Sequence, residues 1–286
     1  MDRRSGIASA PVLIRLGHDA DPDGAFMFWA LSEGLVDTRG FEFEHVLRDS
    51  ETLDDWALQG RLEVTAISLH AYPRVQSRYV LLPHGASMGS GYGPVVVASE
   101  RLSRDELRSV EIAVPPHMTT ALLVLRMYLG DFTYRVVPFD AILDEVRSGR
   151  APAGLLIHDG QLTHESDELV RCIDLGEWWL LETGLPLPLG VNVARRDLGE
   201  DVLRDLSEIF RESIDAGLRS RDELARHALR FRRGPEGALG HRSLRLDVND
   251  RTLDYGDEGK QAVQELLRRA EALGAYSDPV HVEFVG

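Results

Sequence analysis

The sequence has almost no cysteine. Among its 286 residues Cys172 is the single thiol, so no internal disulfide can form. Small exported domains depend on disulfides for stability, and their absence is typical of proteins that stay in a reducing compartment. We therefore expect a cytosolic protein, and the chain is long enough to bury one large core or two smaller ones.

Long apolar runs are missing as well. Arg3 and Arg4 stand near the start, but residues 5–11 are small and mixed, and the first apolar stretch, 12–16, is too short for a signal peptide. No run reaches the roughly 18 apolar residues that a membrane helix needs. These features predict a protein without an export signal and without a membrane partner.

Basic residues are few compared with acidic ones. The chain has 32 Lys and Arg against 47 Asp and Glu, which gives a net charge of -15. Proteins that bind nucleic acid carry a basic surface that displaces counterions from the phosphates. The composition therefore argues against a nucleic-acid partner. It does not define the charge of a small ligand, because a cleft can differ in potential from the whole surface.

The sequence does contain a regular alternation of strand and helix patterns. In chain order the patterns predict a strand at 12–17, a helix at 25–35, a strand at 62–67, a helix from 69, a strand at 110–115, a helix at 121–129 and a strand at 153–157. Such an order is typical of parallel sheets covered by helices. Beyond these, the spacing predicts helices at 200–218, at 222–231 and around 263–273.

Two further segments predict crossings between lobes. Residues 91–98 and 186–194 each place Gly and Pro before a short β-branched strand that ends in Ala. If these strands pair as a two-strand hinge, residues 1–96 plus 190–286 form one lobe and residues 97–189 form the other. The alternative is that Gly and Pro only punctuate ordinary loops. We favour the hinge, and hence a two-lobed α/β fold.

Hydroxyl side chains stand where strands lead into helices. Ser68 follows one predicted strand, and Thr119 and Thr120 precede the helix at 121–129. Ligands of open α/β sheets bind beyond the carboxyl ends of strands, where helix N-termini present unpaired N–H groups. These residues therefore form a candidate site for a small acidic molecule. Simple helix capping is the alternative, because Ser and Thr are common caps.

His158 is the candidate base. It ends the apolar strand at 153–157 and precedes a turn made by Asp159 and Gly160. An imidazole at the end of a strand faces a cleft, and its ordinary pKa of about 6.5 suits proton transfer near neutral pH. The alternative is a surface or core histidine without a chemical role.

The first loop carries acidic residues at alternate positions. Asp19, Asp21 and Asp23, followed by Gly24, resemble the start of a calcium-binding loop, but the glutamate that closes such a loop would fall on Ala30. We therefore expect no metal, and we interpret Asp23 as a helix cap that faces the ligand. A P-loop, a complete dinucleotide fingerprint and a nucleophile elbow are missing too, so no cofactor is expected.

Motifs along nearly the whole chain resemble those of one known family. In chain order they are Leu16-Gly17 with the Asp-Pro-Asp turn and 26–31, Glu51-Thr52-Leu53 with Trp56-Ala57-Leu58, Gly60-Arg61-Leu62 leading to Ser68, Gly91-Tyr92-Gly93-Pro94, Thr119-Thr120-Ala121, 154–158, 174–179, 183–190 and 194–199. In this order they resemble the 1,4-dihydroxy-6-naphthoate synthase family of the futalosine route to menaquinone.

The resemblance implies a two-lobed periplasmic-binding-protein-like fold of type II with a two-strand hinge. It also implies a cofactor-free lyase that converts the small acidic molecule cyclic de-hypoxanthine futalosine into 1,4-dihydroxy-6-naphthoate. His158 then matches the family's proton-abstracting histidine. The segments that contact substrate or product in the family match five residues here, namely Ala66, Ile67, Ser68, Thr119 and Thr120.

The first loop departs from the family pattern. Many members read Ser-Pro-Cys-Pro-Asn-Asp-Thr where this chain has residues 19–25, so an amide, a carboxylate and a hydroxyl are replaced by Asp23, Gly24 and Ala25. The altered loop leaves open a non-catalytic solute-binding protein for a small organic acid on the same fold. A further alternative is a chorismate dehydratase of the same pathway, which has a similar fold. The missing export signal argues against the first, and the match around His158 against the second.

Overall fold

The computed structural model describes residues 12–19, 22–157, 169–220 and 250–286, without the side chains of 22–25 and 250. The strands are β1 Val12–His18, β2 Phe41–Leu47, β3 Val64–Ser68, β4 Tyr79–Leu81, β5 Ser87–Gly89, β6 Val95–Ala98, β7 Ile112–Val114, β8 Tyr134–Val136, β9 Ala153–Leu156, β10 Val170–Asp174 and β11 Leu187–Arg195. The helices are α1 Pro22–Ser32, α2 Ser50–Leu58, α3 Tyr72–Val75, α4 Arg104–Ser109, α5 Thr120–Leu129, α6 Ile142–Arg147, α7 Leu175–Thr183, α8 Glu200–Arg219, α9 Asp250–Leu253 and α10 Gly256–Ala272. Short 3-10 helices lie at Leu69–Ala71, Phe139–Ala141 and Arg196–Leu198.

The predicted strands and helices are present, with boundaries shifted by a few residues. The predicted helix at 222–231 lies outside the described residues, whereas the last helix begins earlier than its apolar stripe, at Gly256. Local sequence explains where helices begin and end. Asp174 caps α7 by accepting the N–H of Gly176, and α7 stops at Gly184, whose positive φ of 72° suits glycine. No helix in the described ranges is long and apolar enough to cross a membrane.

The strands form two sheets. The first has the order β2-β1-β3-β11-β4, with β5 also on β11, and the second has the order β10-β6-β9-β7-β8. The predicted strands run parallel, β1 to β3 in the first sheet and β7 to β9 in the second. Two strands that the sequence patterns did not predict, β2 and β8, extend these parallel sets beside β1 and β7. The strand that follows each crossing is antiparallel to its neighbours. After the first crossing β6 pairs antiparallel with β9 in the second sheet, and after the second crossing β11 pairs antiparallel with β3 in the first. The molecule is therefore an α/β protein with two mixed sheets.

The predicted pairing of the two crossing segments is wrong. One edge of β6 is occupied by β9 and the other by β10, and β11 lies between β3 on one side and β4 and β5 on the other. Each strand therefore has both edges filled by its own sheet. It is β5, just before the first crossing, that pairs with the start of β11, at Leu187 and Gly89.

The crossings meet through glycine instead. The chain passes between the sheets at residues 90–94 and again through α7, and the N–H of Leu175 donates to the carbonyl of Pro94 at 2.9 Å. A Cβ added to Gly176 would lie 2.0 Å from the carbonyl oxygen of Tyr92, and one added to Gly93 would lie 2.9 Å from the Gly176 backbone. The two backbones come this close because neither glycine has a side chain.

Apolar packing joins the two sheets. One cluster of buried side chains includes Val96 and Leu155 of the second sheet, Val191 of the first and Trp179 of α7. The Trp179 indole donates a hydrogen bond to the carbonyl of Pro186 at 3.0 Å, which satisfies its buried N–H group. Another cluster packs α1 and α8 against the outer face of the first sheet, and its Phe28 and Phe210 rings have centroids 5.1 Å apart.

A methyl group at Gly176 tests the contact between the crossings. We expect Gly176→Ala to lower the free energy of unfolding by about 1–3 kcal/mol, because the new Cβ overlaps backbone atoms that have no freedom to move aside. Urea unfolding followed by circular dichroism measures the loss. Gly190→Ala in β11 is the matched control, since its Cβ would have neighbours at 3.8 Å, and a control as unstable as Gly176→Ala would contradict the prediction.

Candidate active site

The carboxyl ends of β1 and β3 lie at the same edge of the first sheet. The two strands run parallel, and they end at His18 and Ser68. The polar side chains that end and follow these strands are thereby brought to one place. This is the edge at which open α/β sheets bind their ligands.

Ser68 occupies the last position of β3. It is half-buried, pairs with Gly190 of β11 and stands before the 3-10 helix Leu69–Ala71. Within the described part of the chain its side chain makes no cap hydrogen bond to that helix. Helix capping therefore does not explain a hydroxyl at this position.

The two residues before Ser68 face opposite sides of β3, because successive side chains of a strand alternate. Ile67 is 3% exposed and belongs to the hydrophobic core. Ala66 is half-buried like Ser68 and shares its side of the strand. A ligand contact by Ile67 is therefore limited to its backbone, whereas Ala66 and Ser68 present side chains on one face.

Thr119 caps helix α5, as the alternative interpretation of the sequence had it. Its hydroxyl accepts the N–H of Leu122 at 3.5 Å and donates to the carbonyl of Pro116 at 2.9 Å. Thr119 therefore fixes the start of α5. The helix has ten residues, and the N–H groups of its first turn have no intrahelical acceptor.

Thr120 connects the two halves of the site. It is 3% exposed, and its hydroxyl donates to the carbonyl of Leu189 at 2.7 Å while it accepts the N–H of His70 at 3.2 Å. His70 is two residues past Ser68, and Leu189 lies in β11. The structure thus places the start of α5, with Thr119 and Thr120, beside the residues that follow Ser68. The Thr120 hydroxyl itself is used for this connection.

Removing the Thr120 hydroxyl tests its connecting role. Thr120→Val keeps the shape but leaves a buried carbonyl and a buried N–H without their partner, so we expect a loss of about 1–3 kcal/mol in the free energy of unfolding. Thr120→Ser keeps the hydroxyl and should lose less. Denaturant unfolding of the two variants and the wild type measures the difference, and equal losses would contradict this role.

Asp23 and His158, two of the predicted site residues, fall partly or wholly outside the residues that the structure describes. Helix α1 begins at Pro22, so Asp23 is its second residue and not its cap; proline is favoured at the first helical position. The side chain of Asp23 and the whole of His158 lie outside the described residues. Strand β9, after which His158 follows in the sequence, runs parallel to β7, whose carboxyl end leads to Thr119. The roles of Asp23 and His158 stay predictions.

The sequence patterns did not identify Asp54, which lies on α2 and is 1% exposed. Its Oδ1 atom accepts the backbone N–H of Ser68 at 2.8 Å. Burial raises the pKa of Asp54 to about 8, against the opposing effect of hydrogen bonds from Ser68, and nearby Asp19 raises it further. The one sequence signal that pointed to Asp54 was its position next to Leu53, which together with Ala57 forms the apolar side of α2.

Two buried histidines beside the site are neutral at physiological pH. Burial lowers the pKa of His18 to about 4, and the neighbouring His45, whose Nδ1 lies 3.0 Å from His18 Nε2, lowers it further. Burial also lowers the pKa of His70 to about 4, followed by the charge of Arg74. With Asp54 largely protonated at pH 7, this edge of the first sheet carries little charge from these three groups.

The low pKa of His18 predicts a stability that depends on pH. The unfolded chain binds a proton on this imidazole below about pH 6.5, but the folded chain does so only near pH 4, so folding becomes less stable as the pH falls through this window. Between pH 7 and pH 4.5 the free energy of unfolding should fall in both proteins, and we expect the fall in His18→Gln to be smaller than in the wild type by about 1–3 kcal/mol.

Urea unfolding at several pH values measures this dependence. Asp54 contributes the opposite slope in both proteins, so the comparison isolates His18. His281→Gln, at an exposed position, is the control and should follow the wild type. Identical pH dependence of His18→Gln and the wild type would contradict the prediction.

Metal ligands do not cluster in the part of the chain that the structure describes. Its His, Cys, Asp and Glu side chains form no group of three or more that is able to hold a metal ion. The site is instead built from hydroxyls, a buried carboxyl group and backbone N–H groups.

The two sheets, the double crossing and a site at strand ends define the class of two-lobed, periplasmic-binding-protein-like α/β proteins, which confirms the predicted fold class. The alkanesulfonate-binding protein SsuA from Xanthomonas axonopodis pv. citri, solved with bound MOPS, superposes with a TM-score of 0.70 over 94% of this chain and 96% of that one. At 11% identity this likeness concerns the fold alone. A much closer structure is protein AF1704 from Archaeoglobus fulgidus, with a TM-score of 0.87 and 42% identity over 92% of this chain and 98% of that one.

The chain belongs to the menaquinone biosynthesis family that includes the 1,4-dihydroxy-6-naphthoate synthases. Residues 14–272 match the family described as menaquinone biosynthesis. A 1,4-dihydroxy-6-naphtoate synthase from Thermus thermophilus is 42% identical over 91% of this chain and 95% of its own length. One from Streptomyces coelicolor is 32% identical over 91% and 94%. The predicted family is therefore confirmed, and the protein is an enzyme of menaquinone biosynthesis.

Proposed function

We propose that this enzyme is a cofactor-free carbon-carbon lyase that cleaves cyclic de-hypoxanthine futalosine and releases 1,4-dihydroxy-6-naphthoate. The observation that carries the proposal is the junction of Ser68 with Thr119 and Thr120. These residues come from different sheets, yet the Thr120 hydroxyl lies 3.2 Å from the backbone nitrogen of His70, two residues after Ser68. The names of the relatives that share 42% and 32% identity support the same activity.

The start of α5 supplies the groups that an acidic substrate needs. A helix N-terminus carries a partial positive charge and N–H groups that bind carboxylates and developing oxyanions. Thr119 holds this terminus in place through its cap, and Thr120 holds it against β11. Donors fixed before the reaction stabilise a developing oxyanion without the cost of reorganising during the reaction.

The protonation states near Ser68 favour an acidic substrate as well. The pKa of His18 is lowered to about 4, so this imidazole is neutral at pH 7, and the pKa of Asp54 is raised to about 8, so its carboxyl group is mostly protonated. A carboxylate at Asp54 would repel an anionic substrate, and its burial avoids this repulsion at neutral pH.

His158 is the proposed base. By its match to the family, it removes a proton from the substrate, and the hydrogen-bond donors described above stabilise the negative charge that develops as the substrate is cleaved. Closure of the lobes over the substrate would exclude water. We take one lobe to be residues 1–96 plus 190–286 and the other to be residues 97–189. We take the cytosol as the compartment, since the chain has one cysteine.

Turnover of the proposed substrate tests the function. The purified protein should convert cyclic de-hypoxanthine futalosine into the naphthoate, followed by liquid chromatography and mass spectrometry. His158→Ala should lower kcat at least about 100-fold, because general-base catalysis contributes that much or more. His281→Ala, at an exposed position, is the control and should keep wild-type turnover.

The same assay separates the competing functions. A folded protein that releases no naphthoate contradicts the proposal. Dehydration of chorismate by that protein would identify it as the other enzyme of the pathway. Binding of an organic acid without chemical change, and with the same affinity in His158→Ala, would identify a solute-binding protein.

A further inference from the structure

We propose that Asp54 is a positioning residue of this site, and that its carboxyl group fixes the backbone of Ser68 and so directs the Ser68 hydroxyl toward the substrate. The expected effect of Asp54 on the rate of the reaction rests on the proposed function. Its structural basis is independent of that function, because it depends on the hydrogen bonding between Asp54 and Ser68 and on the way α2 packs against the sheet.

Asp54 takes the place of a missing strand partner. In the described part of the chain, β1 pairs with β3 at Val64 and Thr65 and not beyond. The backbone N–H of Ser68, at the end of β3, would therefore lack an acceptor from β1, and a buried N–H without an acceptor is costly. The Asp54 Oδ1 atom supplies that acceptor at 2.8 Å, while β11 pairs with the other side of Ser68 at Gly190.

The helix that carries Asp54 is held rigidly against the sheet. The Asp49 side chain caps α2 by accepting the N–H of Thr52 at 2.9 Å, and the Ser50 hydroxyl donates to Asp19 Oδ2 at 2.9 Å. Leu53, next to Asp54, is fully buried against β1.

A glycine in β1 lets this helix come so close. A Cβ added to Gly17 would lie 2.8 Å from Leu53 Cδ2 and 2.5 Å from Leu62 Cδ1. Asp54 therefore has little freedom to move, and the hydrogen bond that it accepts transmits this rigidity to Ser68.

The backbone of Ser68 decides where its hydroxyl points. The residue has φ of -62° and ψ of 135° at the position where β3 gives way to the 3-10 helix. Without the bond to Asp54, the N–H group would seek another acceptor and the backbone would rotate at this transition. A hydroxyl displaced by about 1 Å binds the reacting molecule less well, and such misplacement costs up to about 100-fold in rate.

The charge of Asp54 adds a pH dependence. The titratable groups near it are Asp19 at the end of β1, Asp55 on α2, and the His18–His45 pair on β1 and β2. Burial raises the pKa of Asp54 to about 8, and burial lowers the pKa of both histidines. As the pH rises through about 8, Asp54 gains a negative charge beside the bound acid, so we expect KM to rise.

Three variants separate the hydrogen bond from the charge. Asp54→Asn keeps an acceptor oxygen for the Ser68 N–H but has no proton to lose, so kcat at pH 7 should stay within about threefold of wild type and the rise of KM above pH 8 should disappear. Asp54→Ala loses the acceptor, so kcat/KM should fall about 10- to 100-fold. Asp55→Asn, at the exposed neighbouring position, should behave as wild type.

A double variant tests whether Asp54 acts through Ser68. In a Ser68→Ala background, Asp54→Ala should lower kcat/KM by less than about threefold further, because the hydroxyl that it positions is already gone. The proposal would be overturned if the loss of kcat/KM in the double variant equalled the product of the losses in the two single variants. Wild-type kinetics of Asp54→Ala would overturn it as well.

Nuclear magnetic resonance gives a readout without substrate. The amide proton of Ser68 should be protected from exchange in the wild type and in Asp54→Asn, and its chemical shift should titrate near pH 8 in the wild type alone. An unprotected Ser68 amide in the wild type would overturn the positioning role of Asp54 even if Asp54→Ala fails to fold, and an amide that does not titrate would overturn the expected rise of KM with pH. A folded wild type that titrates as described but releases no naphthoate would instead overturn the proposed function and leave the role of Asp54 in fixing Ser68 supported.

Discussion

The hydroxyl of Thr120 is the interaction on which the site depends. It is a small group, yet it is bonded at once to a carbonyl of β11 and to an N–H just past β3. Leu189 belongs to the first sheet and His70 to the short 3-10 helix that follows β3, whereas Thr120 begins a helix that follows a strand of the second sheet. Without this link, the start of α5 and the end of β3 would be two separate polar surfaces. With it, they lie together at the place where the site is proposed.

Two buried groups at the edge of the first sheet where β1 and β3 end, Asp54 and His18, are mostly uncharged at pH 7 within a strongly acidic protein. The chain carries a net charge of -15, but two buried groups at this edge of the first sheet, the acid Asp54 and the base His18, have pKa values shifted toward their uncharged forms. Burial is the first cause in each case, since a low-dielectric surrounding disfavours the charged form of any group. A strongly acidic chain can therefore contain a buried region whose local charge differs from that of its whole surface.

The features that follow from local chemistry were predictable from the sequence, and those that depend on distant neighbours were not. Ser68 and Thr119 were found because hydroxyls at strand-to-helix junctions are a local pattern. Asp54 was missed because a carboxylate on an amphipathic helix usually faces solvent, and only the tertiary packing of α2 buries it. The hinge pairing failed for the same reason, since the sequence does not say which strand edges are already filled, and Asp23 was misplaced because Pro22 begins the helix.

The order of the strands also constrains how the protein is made. Strand β11 lies in the interior of the first sheet, between β3 and β4, but among the described strands it is the last to leave the ribosome. Until it arrives, the growing chain exposes the edge of β3, which is a template for association with other chains. The first sheet therefore forms through contacts between segments far apart in the chain, which slow folding, and synthesis of the second sheet comes before completion of the first.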